Sequence, residues 1–307
     1  MSKFINPFTD VGFKRIFGQE MSKDLLIDFL NSLMEGERHI EDVTFLDKEQ
    51  LPENARDRGL IYDVYCQTST GEHIIVEMQN KDQLHFKERA LLYLSKAIVE
   101  QSKRGDEGKL YEIDAVYGIF FMNFRNSSFA SRFRTDVALM DTETHEVFSD
   151  KIRMTYLQLP EFQKDVDECE TVFDRWIYIL KHMTVLERMP WAAQHAVFQK
   201  LSQICETAAL SKVERMQYDE SRKIYLDNLA TLEKSRLDGI EEGMKKGIKH
   251  GLQQGLQQGL QQGLQQGQEQ GRQSAQIEIA KKMTEEGMSL EVIAKITDLT
   301  PEEIELL

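Results

Sequence analysis

The chain has 307 residues, 41% hydrophobic and 29% charged, enough for about two folded domains at a prior of roughly 150 residues each. Lys+Arg 38 against Asp+Glu 52 leave a net charge of -14, opposite in sign to the basic footprint of proteins that grip nucleic acid across their whole surface. Any phosphate contact is therefore local. No apolar run approaches the ~20 residues that cross a bilayer, and the opening residues lack a secretion-signal core, so the expectation is a cytoplasmic chain with no membrane partner.

The first 35 residues read as two helices. FKRIF follows Thr9 and Asp10; SKDLLIDFLNSLMEG repeats Leu25, Leu26, Phe29, Leu30 and Leu33 at helical spacing, with Ser22 placed to cap and Gly36 to stop. Three runs of strand character come next, residues 40–47, 61–67 and 73–79, the last two joined by TSTGE as a hairpin. Helical periodicity returns from Leu84 to Lys103. AVYGIFFMNF then reads as a buried central strand, and RMTYLQL, residues 153–159, as another. Beyond Pro160 the pattern is helical, in TVFDRWIYILKHM, WAAQHAVFQKLSQICETA and a run from Ser211 to about Leu237.

From Gly239 to Gly271 glycine falls at every fourth position, nine in all, with four GLQQ units between 251 and 266. Nine glycines cost on the order of 9 kcal/mol in an isolated helix, and a period of four drifts about 40 degrees per step around a helix of 3.6 residues per turn. Two arrangements remain, a right-handed wrapped oligomer or a flexible glutamine-rich tether, of which partly helical self-association is the reading adopted. The last 30 residues read as short capped helices bounded by Gly287 with Ser289 and by Thr300-Pro301-Glu302-Glu303. Val292, Ile293 and Ile296 are expected to pack against Ile304 and Leu307. EGMSLEVIAKITDLTPEEIELL is similar to the first part of a helix-turn-helix, but PEEIELL is acidic, so the module is read as a packing or oligomerising cap.

Chemistry concentrates in two strands. In VEMQ, Glu77 and Gln79 project to one side while Val76 and Met78 project to the other, and Asp63 in the neighbouring strand lies beside them. Acidic residues on strands ordinarily face solvent. These two sit within otherwise apolar runs, where a carboxylate needs a compensating partner. Asp63, Glu77 and the backbone carbonyl of Met78 form the hard oxygen set that magnesium prefers, and such an ion serves phosphodiester cleavage. Cys66, Cys169 and Cys205 form neither a disulfide framework nor a zinc set, and the seven histidines carry no catalytic spacing. No Gly-rich phosphate loop occurs, so no nucleotide cofactor is expected.

NPFTDVGFKRIFG, LLIDFLN, YDVYCQTSTGEHIIVEMQ and FKERALLYLSKAI together resemble the Rpn-type recombination-promoting nucleases, also described as PD-(D/E)xK family transposases. The resemblance is close over residues 4–160 and extends over most of the chain. It implies an α/β (mixed α+β) restriction-endonuclease-like core, then an all-helical region and a glycine-repeat helical tail. Asp63 matches the motif aspartate, Glu77 the second acid, and Gln79 the position usually held by lysine. Glutamine can hydrogen-bond but lacks lysine's charge. Lys14 matches a basic position and either supplies that charge from the first helix or is a solvated helical lysine. Arg89 either reaches a phosphate and orients an acid, or pairs with Glu88 or Asp82.

The resulting expectation divides the chain into a nuclease-like core (1–160), a helical extension (161–238), a repeat tether or self-association helix (239–273) and a small helical module (274–307). The function expected is DNA endonucleolytic cleavage with Mg2+, Mn2+ being the alternative metal, in recombination or transposition, by a homo-oligomer. The competing reading is an oligomerising interaction protein on a nuclease scaffold.

Overall fold

HIIVEMQ, residues 73–79, has one wholly apolar face, Ile74, Val76 and Met78, and a second that carries Ile75 with His73, Glu77 and Gln79. In the computed structural model, which describes residues 2–47, 49–50, 60–103 and 112–307, it forms the wholly buried strand β5 (His73–Gln79). It belongs to a mixed six-stranded sheet with β1 (Val43–Phe45), β4 (Val64–Thr68), β6 (Val116–Met122), β7 (Arg134–Met140) and β8 (Val147–Gln158), in the order β1-β4-β5-β6-β8-β7. A two-residue pairing, β2 (Glu49–Gln50) with β3 (Leu60–Ile61), stands apart from it. β4 and β5 form the expected antiparallel hairpin, whereas β5, β6 and β8 run parallel. A parallel pair requires a crossover, and α3 (Phe86–Lys103) supplies it between β5 and β6.

Alternation along the strands sends side chains into two cores. On one face Ile75, Val116, Phe120 and Met154 pack with Phe86, Ala90 and Leu94 of α3. On the other, Ile74, Val76 and Phe121 meet α1 (Asp10–Phe17), α2 (Lys23–Leu33), α4 (Val172–His182) and α5 (Ala196–Cys205). Phe121 lies 5.7, 6.2 and 5.3 Å, centroid to centroid, from Phe13, Phe17 and Phe29. Trp176 of α4 donates its indole N–H to Asp28 of α2 at 2.7 Å, which accounts for the acid inside LLIDFLN. The phenylalanines of β6 are thus core, as their sequence context predicts.

Thr9 caps α1, its hydroxyl accepting from the Gly12 amide at 3.0 Å. Ser22 does not cap α2 through its side chain; its hydroxyl donates instead to the Gln19 carbonyl. Strand β7 has no counterpart in the sequence reading. It is a sheet-edge strand, partly exposed, with a register shift around Leu139, so its apolar alternation is weak.

Contacts divide the chain into two units, Met1–Asn228 and Leu229–Leu307. The first includes α4 and α5, so the expected boundary at residue 160 falls inside it. It also includes the first turns of α6 (Lys212–Glu285), where Tyr218 Oη accepts from the Asn6 amide at 2.8 Å and Arg15 meets Glu214 at 2.5 Å. In the second unit, Ala280 and Met283 of α6 pack with Ile293 of α7 (Leu290–Thr297) and Ile304 of α8 (Pro301–Glu305). Thr300 caps α8 as expected, and Glu303 completes a capping box with it. Val292, Ile296 and Leu307 remain exposed, so the packing runs through Ile293 and the end of α6 instead.

Candidate active site

The β4–β5 register pairs Val64 with Val76; continued by one residue, it sets Asp63 opposite Glu77. At Asp63 the alternation breaks, since Tyr62 and Tyr65 both face α3 although they are three residues apart. That kink brings the Asp63 carboxylate over the neighbouring strand. Its Oδ2 accepts from the Met78 amide at 2.8 Å, while the Asp63 amide donates to Glu77 Oε1 at 3.1 Å. The Gln79 carbonyl accepts from Asn123 on the β6 side, so strand alternation turns the Met78 carbonyl toward the Asp63 edge.

Glu77 is 2% exposed. Its Oε2 accepts from Gln79 Nε2 at 3.2 Å and lies 3.9 Å from an Arg89 guanidinium nitrogen. Burial, reinforced by the Asp63 charge, pushes the Glu77 carboxyl up to about 8. Burial also raises Asp63, against the opposing pull of the Met78 amide and Lys14. Two acids that disfavour one another's charge in a low-dielectric setting call for a cation.

Lys14 and Asp10 act on Asp63 from α1, Lys14 favouring its ionised form and Asp10 opposing it. The two are themselves paired at 2.7 Å. Arg89 donates to Gln83 Oε1 at 2.8 Å and to Tyr93 Oη at 3.1 Å. Asp82 instead accepts from Asn126, and Glu88 lies 4.0 Å from His85, so neither is the carboxylate beside Arg89. Asp63, Glu77, Met78, Gln79 and Arg89 therefore meet at one end of β5, and Lys14 acts on Asp63 through its charge while paired with Asp10. Sequence reading missed Gln83 and Tyr93; the four-residue spacing from Arg89 to Tyr93 along a helix was the available signal for the latter.

Among the described residues no group of three or more His, Cys, Asp and Glu side chains is placed to hold a metal. The donor set present is two carboxylates and a backbone carbonyl. These hard oxygens fit a divalent cation that keeps water or phosphate in its other positions, and the raised Glu77 is the sign of uncompensated charge that such a cation would relieve.

Residues 7–235 match the family described as PD-(D/E)XK nuclease family transposase. The chain belongs to that family. Residues 273–307 of this nuclease-family chain further match the C-terminal HTH domain of the Rpn/YhgA-like nuclease family, which gives the terminal module a helix-turn-helix relationship that its acidic last helix had argued against. Neither the curated proteins nor the solved structures contain a match to the chain. No helix among the described residues is long and apolar enough to cross a membrane.

Proposed function

We propose that this PD-(D/E)XK family member is a divalent-metal-dependent DNA endonuclease acting in recombination or transposition, with magnesium as its metal. The observation that carries the reading is the reciprocal hydrogen bonding of half-buried Asp63 and buried Glu77 at the kinked end of the β4–β5 hairpin. A bound divalent cation would supply charge neutralisation at the phosphoryl oxygens and a more acidic water. Asp63, Glu77 and the Met78 carbonyl are the groups that would hold it.

The chain's own residues do the rest. Hydrolysis forms one phosphorus–oxygen bond to water and breaks another to a sugar oxygen, which leaves with a proton. Gln79, two residues beyond Glu77 on the same face, orients the water through its amide. Lys14 supplies the positive charge that glutamine lacks. Arg89, held by Gln83 and Tyr93, keeps Glu77 in place and presents its guanidinium to phosphate. The C-terminal match to an HTH domain supports DNA as the partner, and the glycine repeat is assigned to self-association.

The second reading, an oligomerising interaction protein on a nuclease scaffold, draws on Gln79 in the lysine position and on the Lys14–Asp10 pair, which balances the nearest substitute charge. Supercoiled plasmid incubated with the full-length protein and magnesium separates the two. Endonuclease action converts it to nicked or linear forms and Asp63→Ala does not; equal, trace conversion by both proteins would leave the scaffold reading standing.

A further inference from the structure

Residues 80–85, NKDQLH, follow Gln79 directly and join β5 to α3. Each of the four polar residues that open this turn is held by a different part of the fold. Asn80 donates to the Phe8 carbonyl at 2.7 Å and Lys81 to Asn228 Oδ1 of α6 at 2.5 Å, while Asp82 accepts from Asn126 at 2.7 Å and Gln83 from Arg89 at 2.8 Å. Three of those partners lie 72, 147 and 44 residues away in the chain, so tertiary contacts fix the turn. His85 closes it at φ 63°, a left-handed conformation that costs energy for a side chain with a Cβ.

Two side chains of this anchored turn stand out. Leu84 is 91% exposed, more than any other large apolar side chain among the described residues. A single exposed apolar residue is ordinary on a protein surface, but this one sits between four anchored residues and a left-handed one. Lys81 is the other. Its partner is a neutral amide, and it forms no ion pair among the described residues, whereas Lys14 meets Asp10 and Arg89 lies beside Glu77. In a chain of net charge -14, a cation held in place without an anion is the local positive charge that a phosphate contact requires. Lys81 follows Gln79 by two residues, so their backbones are at most about 7 Å apart.

A fixed cation and a fixed apolar tip three residues apart suit a nucleic-acid duplex, in which charged phosphates flank the less polar sugars and base edges of the grooves. We infer that the turn 80–85 seats duplex DNA beside the acid pair, Lys81 Nζ donating to a backbone phosphate and Leu84 lying against the wall of the minor groove. The inference rests on the proposed nuclease function and carries it from the metal site to the substrate contact. The two residues contribute in different ways: attraction from Lys81 weakens with added salt, and apolar contact by Leu84 does not.

Fluorescence anisotropy of a labelled duplex oligonucleotide with the full-length protein in EDTA, over a series of salt concentrations, tests this without requiring cleavage. Lys81→Ala should reduce the slope of log affinity against log salt by about one, and Lys81→Arg should restore it. Leu84→Ala should weaken binding about fivefold or more at every salt concentration with the slope unchanged. Lys81 is half-buried and Leu84 exposed, so both alanine variants should melt close to the parent. A slope that Lys81→Ala does not change, an affinity that Leu84→Ala does not change, or a parent that binds no duplex would each overturn the inference. Supercoil conversion with magnesium judges the nuclease reading separately: a parent that cleaves while both variants bind as it does keeps that reading and loses the turn, and a parent that binds with both signatures but never cleaves keeps the turn and loses the endonuclease.

Discussion

Asp63 and Glu77 are joined through each other's backbone: the Asp63 amide donates to the Glu77 carboxylate at 3.1 Å, and the amide of Met78, next after Glu77, donates to the Asp63 carboxylate at 2.8 Å. Each acid is thereby fixed by the strand that carries the other. Register, rather than side-chain rotamer preference, sets their separation. Burial makes the pair costly when both groups are ionised.

The pair has a signature in pH. The Glu77 carboxyl is raised from its ordinary 4.5 to about 8, and Asp63 is raised too, so between those pH values the folded chain holds more protons than the unfolded one. Stability from this source is full below about pH 4.5 and is lost as pH rises through 8. In EDTA the melting temperature should therefore fall from pH 5 to pH 8, and Glu77→Gln, which cannot ionise, should show little of that fall. At pH 7.5, added magnesium should raise the parent's melting temperature and leave Glu77→Gln and Asp63→Asn unmoved, because binding to the native state alone stabilises it. A parent indifferent to both pH and magnesium would contradict the pairing.

Gln79 donates to Glu77 at 3.2 Å, so a lysine there would place an ammonium beside the raised acid. Lys14 is already balanced by Asp10. In the proposed mechanism Lys14 supplies the missing charge despite that pairing, so Lys14→Ala should lose about tenfold or more, and adding Gln79→Lys to the Lys14→Ala variant should recover activity. Initial rates of supercoil loss at fixed magnesium decide it. A large drop for Gln79→Lys would indicate that its added cation competes with Lys14.

Gly12 is required by space. A Cβ there would lie 2.1 Å from the Asn6 carbonyl oxygen and 2.7 Å from the Thr9 hydroxyl, the group that caps α1. The neighbouring backbone would have to move, so Gly12→Ala should destabilise the first unit by about 1–3 kcal/mol, as overpacking does. Urea denaturation measures this through a lowered midpoint at unchanged slope.

The glycines of α6 behave in the opposite way. A Cβ at each of the nine positions from Gly239 to Gly271 meets nothing within 4 Å. Replacing Gly251, Gly255, Gly259 and Gly263 by alanine should raise helicity by circular dichroism, at about 1 kcal/mol of helix propensity per site. If close approach of a second chain uses these positions, the same variant should have a lower solution mass by light scattering, as should deletion of 239–271. An unchanged mass in the deletion would remove the repeat from self-association.

Local pattern carried much of this architecture. The hairpin 61–67 with 73–79, the helix after Leu84 and the buried run AVYGIFFMNF are each legible because strand and helix periods expose burial directly in a short window, and the Thr300 cap because cap residues and a following proline mark a helix start. The acids Asp63 and Glu77 are legible as well, since charge inside an apolar run is conspicuous. Strand β7 was not, because an edge strand with polar and exposed positions lacks that contrast.

Residue order alone settled which side chains in VEMQ share a face and that the two carboxylates sit among apolar neighbours. Only the tertiary structure decided that Asp63 breaks its strand's alternation, that Lys14 is balanced by Asp10, and that Arg89 leans on Gln83 and Tyr93. The reason is physical: periodicity reports whether a side chain is buried, a property of its own few neighbours along the chain. A partner or a desolvated charge depends on register and packing between segments distant in sequence.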